Sequence, residues 1–293
     1  MRYIALLEFQ PGLSANIMPP SSYMERTNGT LVQENCRTVI DADGFMVSDR
    51  PLAPGDRKVL LLGGSSVENL YIRDDQRILS VIERQLDARG QATKVYNAGI
   101  SNAHLLHLFN ILVNKGLGLR PDCVVWYPTS GTDVLANEVE RGFWNKADAL
   151  SPIRKAGRDL KMELDCPLVN RNGFDDERRL LRAMYDVCRR FGIRLLVATW
   201  PVYGTYDEFA ARIEPDRAGF EAGDVQMRAL NDVIREICTE MQGDLVDLEA
   251  TLVGRHRPDY FYDRNHPNSA GCELIATATS QVIASVVAPP ATT

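Results

Sequence analysis

The chain carries no surplus of positive charge: 33 Lys and Arg stand against 39 Asp and Glu, a formal net charge of −6 at pH 7. Such a surface repels a polyanion, which argues against non-specific contact with nucleic acid or acidic lipid. It also has no CxxC pair. Its six cysteines (Cys36, Cys123, Cys166, Cys188, Cys238, Cys272) are scattered without ligand-like spacing. They read as reduced, mostly buried thiols rather than a disulfide framework or a metal site, and Cys123 opens an apolar run. The opening MRYIALLEF is interrupted by Glu8 and Pro11, too early for a membrane span or a signal peptide, so the cytoplasm is the expected location. There is no internal repeat and no low-complexity domain. Histidine is scarce, with four in 293 residues, so chemistry that needs an imidazole has few candidates.

What is present is ordinary globular composition, 45% hydrophobic and 25% charged, with enough length for one large core. Five apolar runs rich in β-formers occur at 58–63 (KVLLLG), 94–99 (KVYNAG), 123–128 (CVVWYP), 194–200 (RLLVATW) and 244–248 (DLVDL). Continuous rather than alternating apolar character suits strands covered on both faces. Between them the spacing predicts helices over 75–89, 103–115, 175–191, 225–241 and 269–287; in the fourth, Val225, Leu230, Val233, Ile234 and Ile237 make one apolar stripe. Strand–helix alternation predicts a mostly parallel five-stranded sheet inside a three-layer α/β/α sandwich, formed by residues 56–293. Residues 1–55 stand outside the alternation and are expected to form an N-terminal extension packed on that domain, with short strands at 30–33 and 37–40. The stretch 148–172 reads either as an excursion that shapes a pocket or as a solvated loop, and 288–293 as a fraying tail.

Ligands of an open parallel sheet bind beyond the carboxyl ends of its strands. There the sequence places Gly63-Gly64-Ser65-Ser66, Asn97-Ala98-Gly99-Ile100-Ser101-Asn102, Pro128-Thr129-Ser130-Gly131-Thr132-Asp133, Trp200-Pro201-Val202-Tyr203 and Tyr262-Asp263-Arg264-Asn265-His266-Pro267-Asn268. Ser65 follows two glycines at a strand-to-helix turn, where a nucleophile can project and nearby helical amides favour developing negative charge. Read singly, it is a Gly-Ser turn, with Ser66 the better helix cap. Asp263 lies three residues before His266, so the carboxylate can fold back onto one ring nitrogen and leave the other to take a hydroxyl proton. Pro267 and Asn268 look like a helix start that would hold the pair rigid. His104 and His107, with apolar neighbours, read as surface or packing residues. Gly99 either offers a backbone N–H to an oxyanion or merely ends a strand; Asp133 either caps a helix or orders its turn.

In their order along the chain these blocks resemble the SGNH (GDSL-type) hydrolase superfamily over about residues 58–287. Gly63-Gly64-Ser65-Ser66 resembles the first block, with Gly where the family has Asp. Asn97-Ala98-Gly99 resembles the second and Asp263-Arg264-Asn265-His266-Pro267 the last. The third departs: Ser130-Gly131-Thr132-Asp133 has Thr132 where the family's oxyanion Asn stands. The resemblance implies a flavodoxin-like sheet, a Ser65–His266–Asp263 triad and an oxyanion hole from Ser65, Gly99 and either Thr132 or Ser130, with Asn102 or Asn137 as substitutes. It implies a serine esterase with no metal or organic cofactor, whose partner is a small-molecule ester. Acyl transfer by the same triad and a non-catalytic binding module are the alternatives. Candidate substrate contacts are Asn102, Ser130, Tyr203 and Tyr262, against core packing for part of the aromatic set. No lid-like apolar helix suggests a lipase, so the expected acyl group is small, such as acetyl on a sugar or secondary metabolite.

Overall fold

The computed structural model describes residues 7–145, 173–202 and 217–287. Its first part is a two-stranded antiparallel ribbon, β1 (Ser14–Ile17) and β2 (Cys36–Val39), joined through the short helix α1 (Ser21–Met24). The predicted strand at 37–40 is therefore β2, one residue earlier. Thr30–Gln33 forms no strand, because the Thr30 N–H and hydroxyl both bond the Asn28 side-chain oxygen in a local turn; the ribbon takes Ser14–Ile17 as its partner instead.

Each predicted apolar run becomes a strand: β3 (Arg57–Leu62), β4 (Thr93–Asn97), β5 (Cys123–Trp126), β6 (Arg194–Ala198) and β7 (Asp244–Val246). All neighbours are parallel, in the order β4-β3-β5-β6-β7. β4 and β5 are buried along their whole length, as a sheet covered on both faces requires. Met46 exchanges both backbone hydrogen bonds with Asn97 at 2.9 Å, so the first segment covers part of the β4 edge that would otherwise be unpaired.

Among the described residues the further α-helices are α2 (Ser65–Glu68), α3 (Ile78–Asp87), α4 (Leu105–Asn114), α5 (Ser130–Glu138), α6 (Asp175–Arg190), α7 (Arg217–Glu240), α8 (Leu248–Thr251) and α9 (Ser269–Val286). α6 opens on Asp175, Asp176 and Glu177 and closes on Arg189 and Arg190, charges that complement a helix macrodipole. α7 begins eight residues before the predicted helix does, since Phe220 and Asp224 already lie on its buried face, whereas Val225, placed in the apolar stripe, is 65% exposed and lies off it. α5 has a weak apolar period and was not expected. Two groups of helices flank the sheet: α3 with α9, and α4 to α7. Five cysteines (36, 123, 188, 238, 272) are buried free thiols. Among the described residues no helix is long and apolar enough to cross a membrane.

Candidate active site

Sheet order reverses at β3, and the residues leaving its carboxyl end make the turn into α2. Gly63 is obligatory there: a Cβ would stand 2.4 Å from Val67 Cγ2, because α2 folds back at once. Gly64 is the N-cap and Ser65 the first helical residue, so the Ser65 N–H has no acceptor inside the helix. Ser66 does not cap. Its hydroxyl donates to the Asn265 carbonyl at 3.0 Å and ties α2 to the loop bearing the imidazole.

That loop precedes α9, whose N-cap Asn268 accepts from the Gly271 N–H at 3.0 Å. Asp263 Oδ1 accepts from the N–H groups of Asn265 and His266, each at 2.8 Å, the fold-back allowed by the three-residue spacing. His266 Nδ1 lies 2.9 and 2.8 Å from Asp263 Oδ1 and Oδ2. His266 Nε2 lies 2.8 Å from Ser65 Oγ, 201 positions away in sequence. Burial by itself would raise the Asp263 carboxyl; the attraction and hydrogen bond of His266 and the two loop N–H groups overcome it and hold the pKa below the ordinary carboxylate value. With Nδ1 protonated against that carboxylate, Nε2 is the acceptor facing the hydroxyl.

Tyr262, a predicted substrate contact, is only 2% exposed and stacks on the His266 ring, centroids 5.6 Å apart and planes within 7°. Its surface is used up in packing, so it supports the imidazole instead of meeting a ligand. The donor roles expected for Gly99 and Thr132 also give way. The Gly99 N–H is buried and donates to Asn97 Oδ1 at 2.7 Å, and a Cβ on Gly99 would meet the Glu68 backbone N at 2.8 Å; this glycine permits close approach of the loop to α2. The Thr132 hydroxyl, which has one hydrogen to give, donates to the Ala103 carbonyl. Asn102, by contrast, is exposed and held in a left-handed conformation (φ 64), between Ala103 so bonded and Ser101, whose N–H and hydroxyl both donate to Glu68 Oε2. Asp133 is fully buried and its two oxygens accept from the N–H groups of Leu105 and Thr129, each at 2.7 Å; it clamps the loops after β4 and β5 together. Tyr203 and the stretch 148–172 lie outside the described residues, as does the side chain of Ser130.

Composition and motif spacing gave no sign of Glu68 or Tyr23. Glu68 is buried three residues beyond Ser65, and burial pushes its carboxyl up to about 7 despite the Ser101 donors and the nearby His266 charge. Tyr23 donates to Asp263 Oδ2 at 3.2 Å. His104 and His107 are buried side by side, ring centroids 3.8 Å apart and planes tilted by 36°. Among the described residues no group of three or more His, Cys, Asp or Glu could hold a metal ion.

The fold is that of GDSL-type (SGNH) lipases and acylhydrolases. One similar structure is an acetyl xylan esterase, AlAXEase, at 18% identity over 77% of this chain and 99% of that one, TM-score 0.53. Others are a lipase/acylhydrolase from Enterococcus faecalis (18%; 80% and 98% covered; TM-score 0.53) and a GDSL-like lipase from Bacteroides thetaiotaomicron (16%; 80% and 91%; TM-score 0.51). No protein-family model matches the chain, and no curated protein does.

Proposed function

We propose that the chain is a serine hydrolase of the SGNH superfamily that cleaves a carboxylic ester through an acyl-serine intermediate. The observation that carries this reading is the unbroken hydrogen-bond line from Asp263 through both ring nitrogens of His266 to Ser65 Oγ. His266 Nε2 takes the hydroxyl proton as Ser65 Oγ bonds to the acyl carbon, and the ester C=O pair moves onto oxygen. Collapse of that adduct expels the alcohol, which receives the proton from Nε2. Water then attacks the acyl-serine with His266 again as base and releases the acid. The positive imidazole formed in each half is opposed by Asp263. For the oxyanion, the Ser65 N–H and Asn102 are the candidate donors, since the Gly99 N–H and the Thr132 hydroxyl have other acceptors. A small O-acyl group on a sugar is the substrate class we favour, supported by the likeness to an acetyl xylan esterase.

Ser65→Ala is expected to lower hydrolysis of p-nitrophenyl acetate by at least about 10³-fold while leaving the melting temperature near wild type. Undiminished turnover in that variant would remove the assignment. Asn102→Ala, which also strains a left-handed position, is expected to cost about 10- to 100-fold in kcat with little change in KM, as loss of a transition-state donor does.

A further inference from the structure

The N-terminal segment carries none of the motif blocks, yet it reaches the far end of the hydrogen-bond line. The Tyr23 hydroxyl of α1 donates to Asp263 Oδ2 at 3.2 Å across 240 positions of sequence. Its anchors flank Asp263 on both sides. The Asn28 N–H donates to the Tyr262 carbonyl at 2.8 Å, and the Asn28 side chain donates to the carbonyls of Phe261 at 2.7 Å and Pro258 at 3.1 Å. Asn268, the cap of α9, donates to Thr30 Oγ1 at 3.1 Å. The Tyr23 ring packs against Tyr71 at 4.9 Å and Tyr262 at 6.3 Å, and Tyr262 is the ring stacked on His266.

We propose that Tyr23 is a positioning residue of the Ser65–His266–Asp263 relay: the extension supplies the donor that fixes the outer oxygen of the Asp263 carboxylate. This rests on the hydrolase reading above. Oδ1 already accepts from two N–H groups of its own loop; without Tyr23, Oδ2 keeps only His266 as a donor among the described residues, and its position is held less tightly. Burial, and after it the Asp263 charge, push the Tyr23 phenol far above its ordinary pKa, so it stays a donor wherever the relay works. The other ionisable groups facing the pair are Tyr71, whose ring lies on Tyr23, Tyr262 from the same loop as Asp263, with Cys272 of α9 behind it, and Glu68 from α2.

The sign of the effect follows from electrostatics. A donor on a carboxylate draws off part of its negative charge, so removing the hydroxyl leaves Asp263 a stronger partner for a positive imidazole. Tyr23→Phe should therefore move the acidic limb of the kcat/KM profile to higher pH by a few tenths of a unit and lower plateau kcat about 3- to 10-fold at unchanged KM, the size of one net hydrogen bond. Tyr71→Phe, which keeps its ring against Tyr23, should leave both at wild-type values. The titration of the His266 imidazole, followed by NMR and assigned by its loss in His266→Gln, reads the same contact without any substrate. Its midpoint should rise in Tyr23→Phe and stay put in Tyr71→Phe. An inactive wild-type protein would overturn the hydrolase reading while leaving that titration to decide. Coincident wild-type and Tyr23→Phe midpoints, or equal displacement in Tyr71→Phe, would overturn the role of Tyr23.

Discussion

Asp263 accepts hydrogen bonds from four donors: the ring of His266, the N–H groups of Asn265 and His266, and Tyr23. Its charge therefore does two things, stabilising a positive imidazole and choosing the tautomer. Asp263→Asn preserves the shape but can present its amide N–H₂ to Nδ1, which places the ring proton on Nε2 and leaves no acceptor for Ser65. Activity on p-nitrophenyl acetate should fall by about 10³- to 10⁴-fold with the fold intact, and a loss below about tenfold would mean that Asp263 does not set the tautomer. The pair is legible in sequence because its geometry is local: three residues suffice for the loop to close on itself. Tyr23 and Glu68 are not legible. One acts across 240 positions, and the other looks like a solvated helical glutamate until the Ser101 loop is laid over it.

At the scale of elements, Gly99 illustrates how a motif position can be right about place and silent about cause. An added methyl would press on the backbone of α2, 2.8 Å from the Glu68 N and 3.0 Å from the Val67 carbonyl carbon. Backbone cannot swing aside as a side chain can, so Gly99→Ala should destabilise by about 1–3 kcal/mol and displace α2, with kcat falling although the residue-99 N–H remains. A melting temperature and kcat both at wild-type values would show that the loop and α2 are not in close register. The strands were readable because runs such as 59–62 and 123–126 are apolar at every position, which only a doubly covered sheet explains. α5 escaped notice because Ser130–Glu138 has Gly131, Thr132 and Asp133 in its first half, residues that favour turns unless tertiary partners hold them. Asp133 supplies those partners by bonding N–H groups on both sides.

The molecule as a whole buries carboxyl groups that folding makes weaker acids. Burial raises Glu68 to about 7, Asp133 to about 6, and Glu177 well above its ordinary value, the last with help from Asp133. Between an unfolded value near 4 and these folded values, the native state holds protons that the unfolded chain has released, so stability falls as pH rises through about 4 to 7. Asp263, Asp49 and Asp56, held below their ordinary values, act oppositely, and their contribution is lost only as pH falls below about 4. The maximum of unfolding free energy should thus lie on the mildly acidic side, higher near about pH 5 than near about pH 8 in urea titrations. Glu68→Gln removes one such group while keeping an oxygen for Ser101. It should raise stability at about pH 8 by roughly 1–3 kcal/mol and leave it little changed at about pH 5. The same substitution should lower kcat at about pH 8, because an ionised Glu68 beside His266 favours the positive imidazole that forms as Ser65 gives up its proton. A variant no more stable than wild type at the higher pH would mean that Glu68 is ionised there at no cost to the fold.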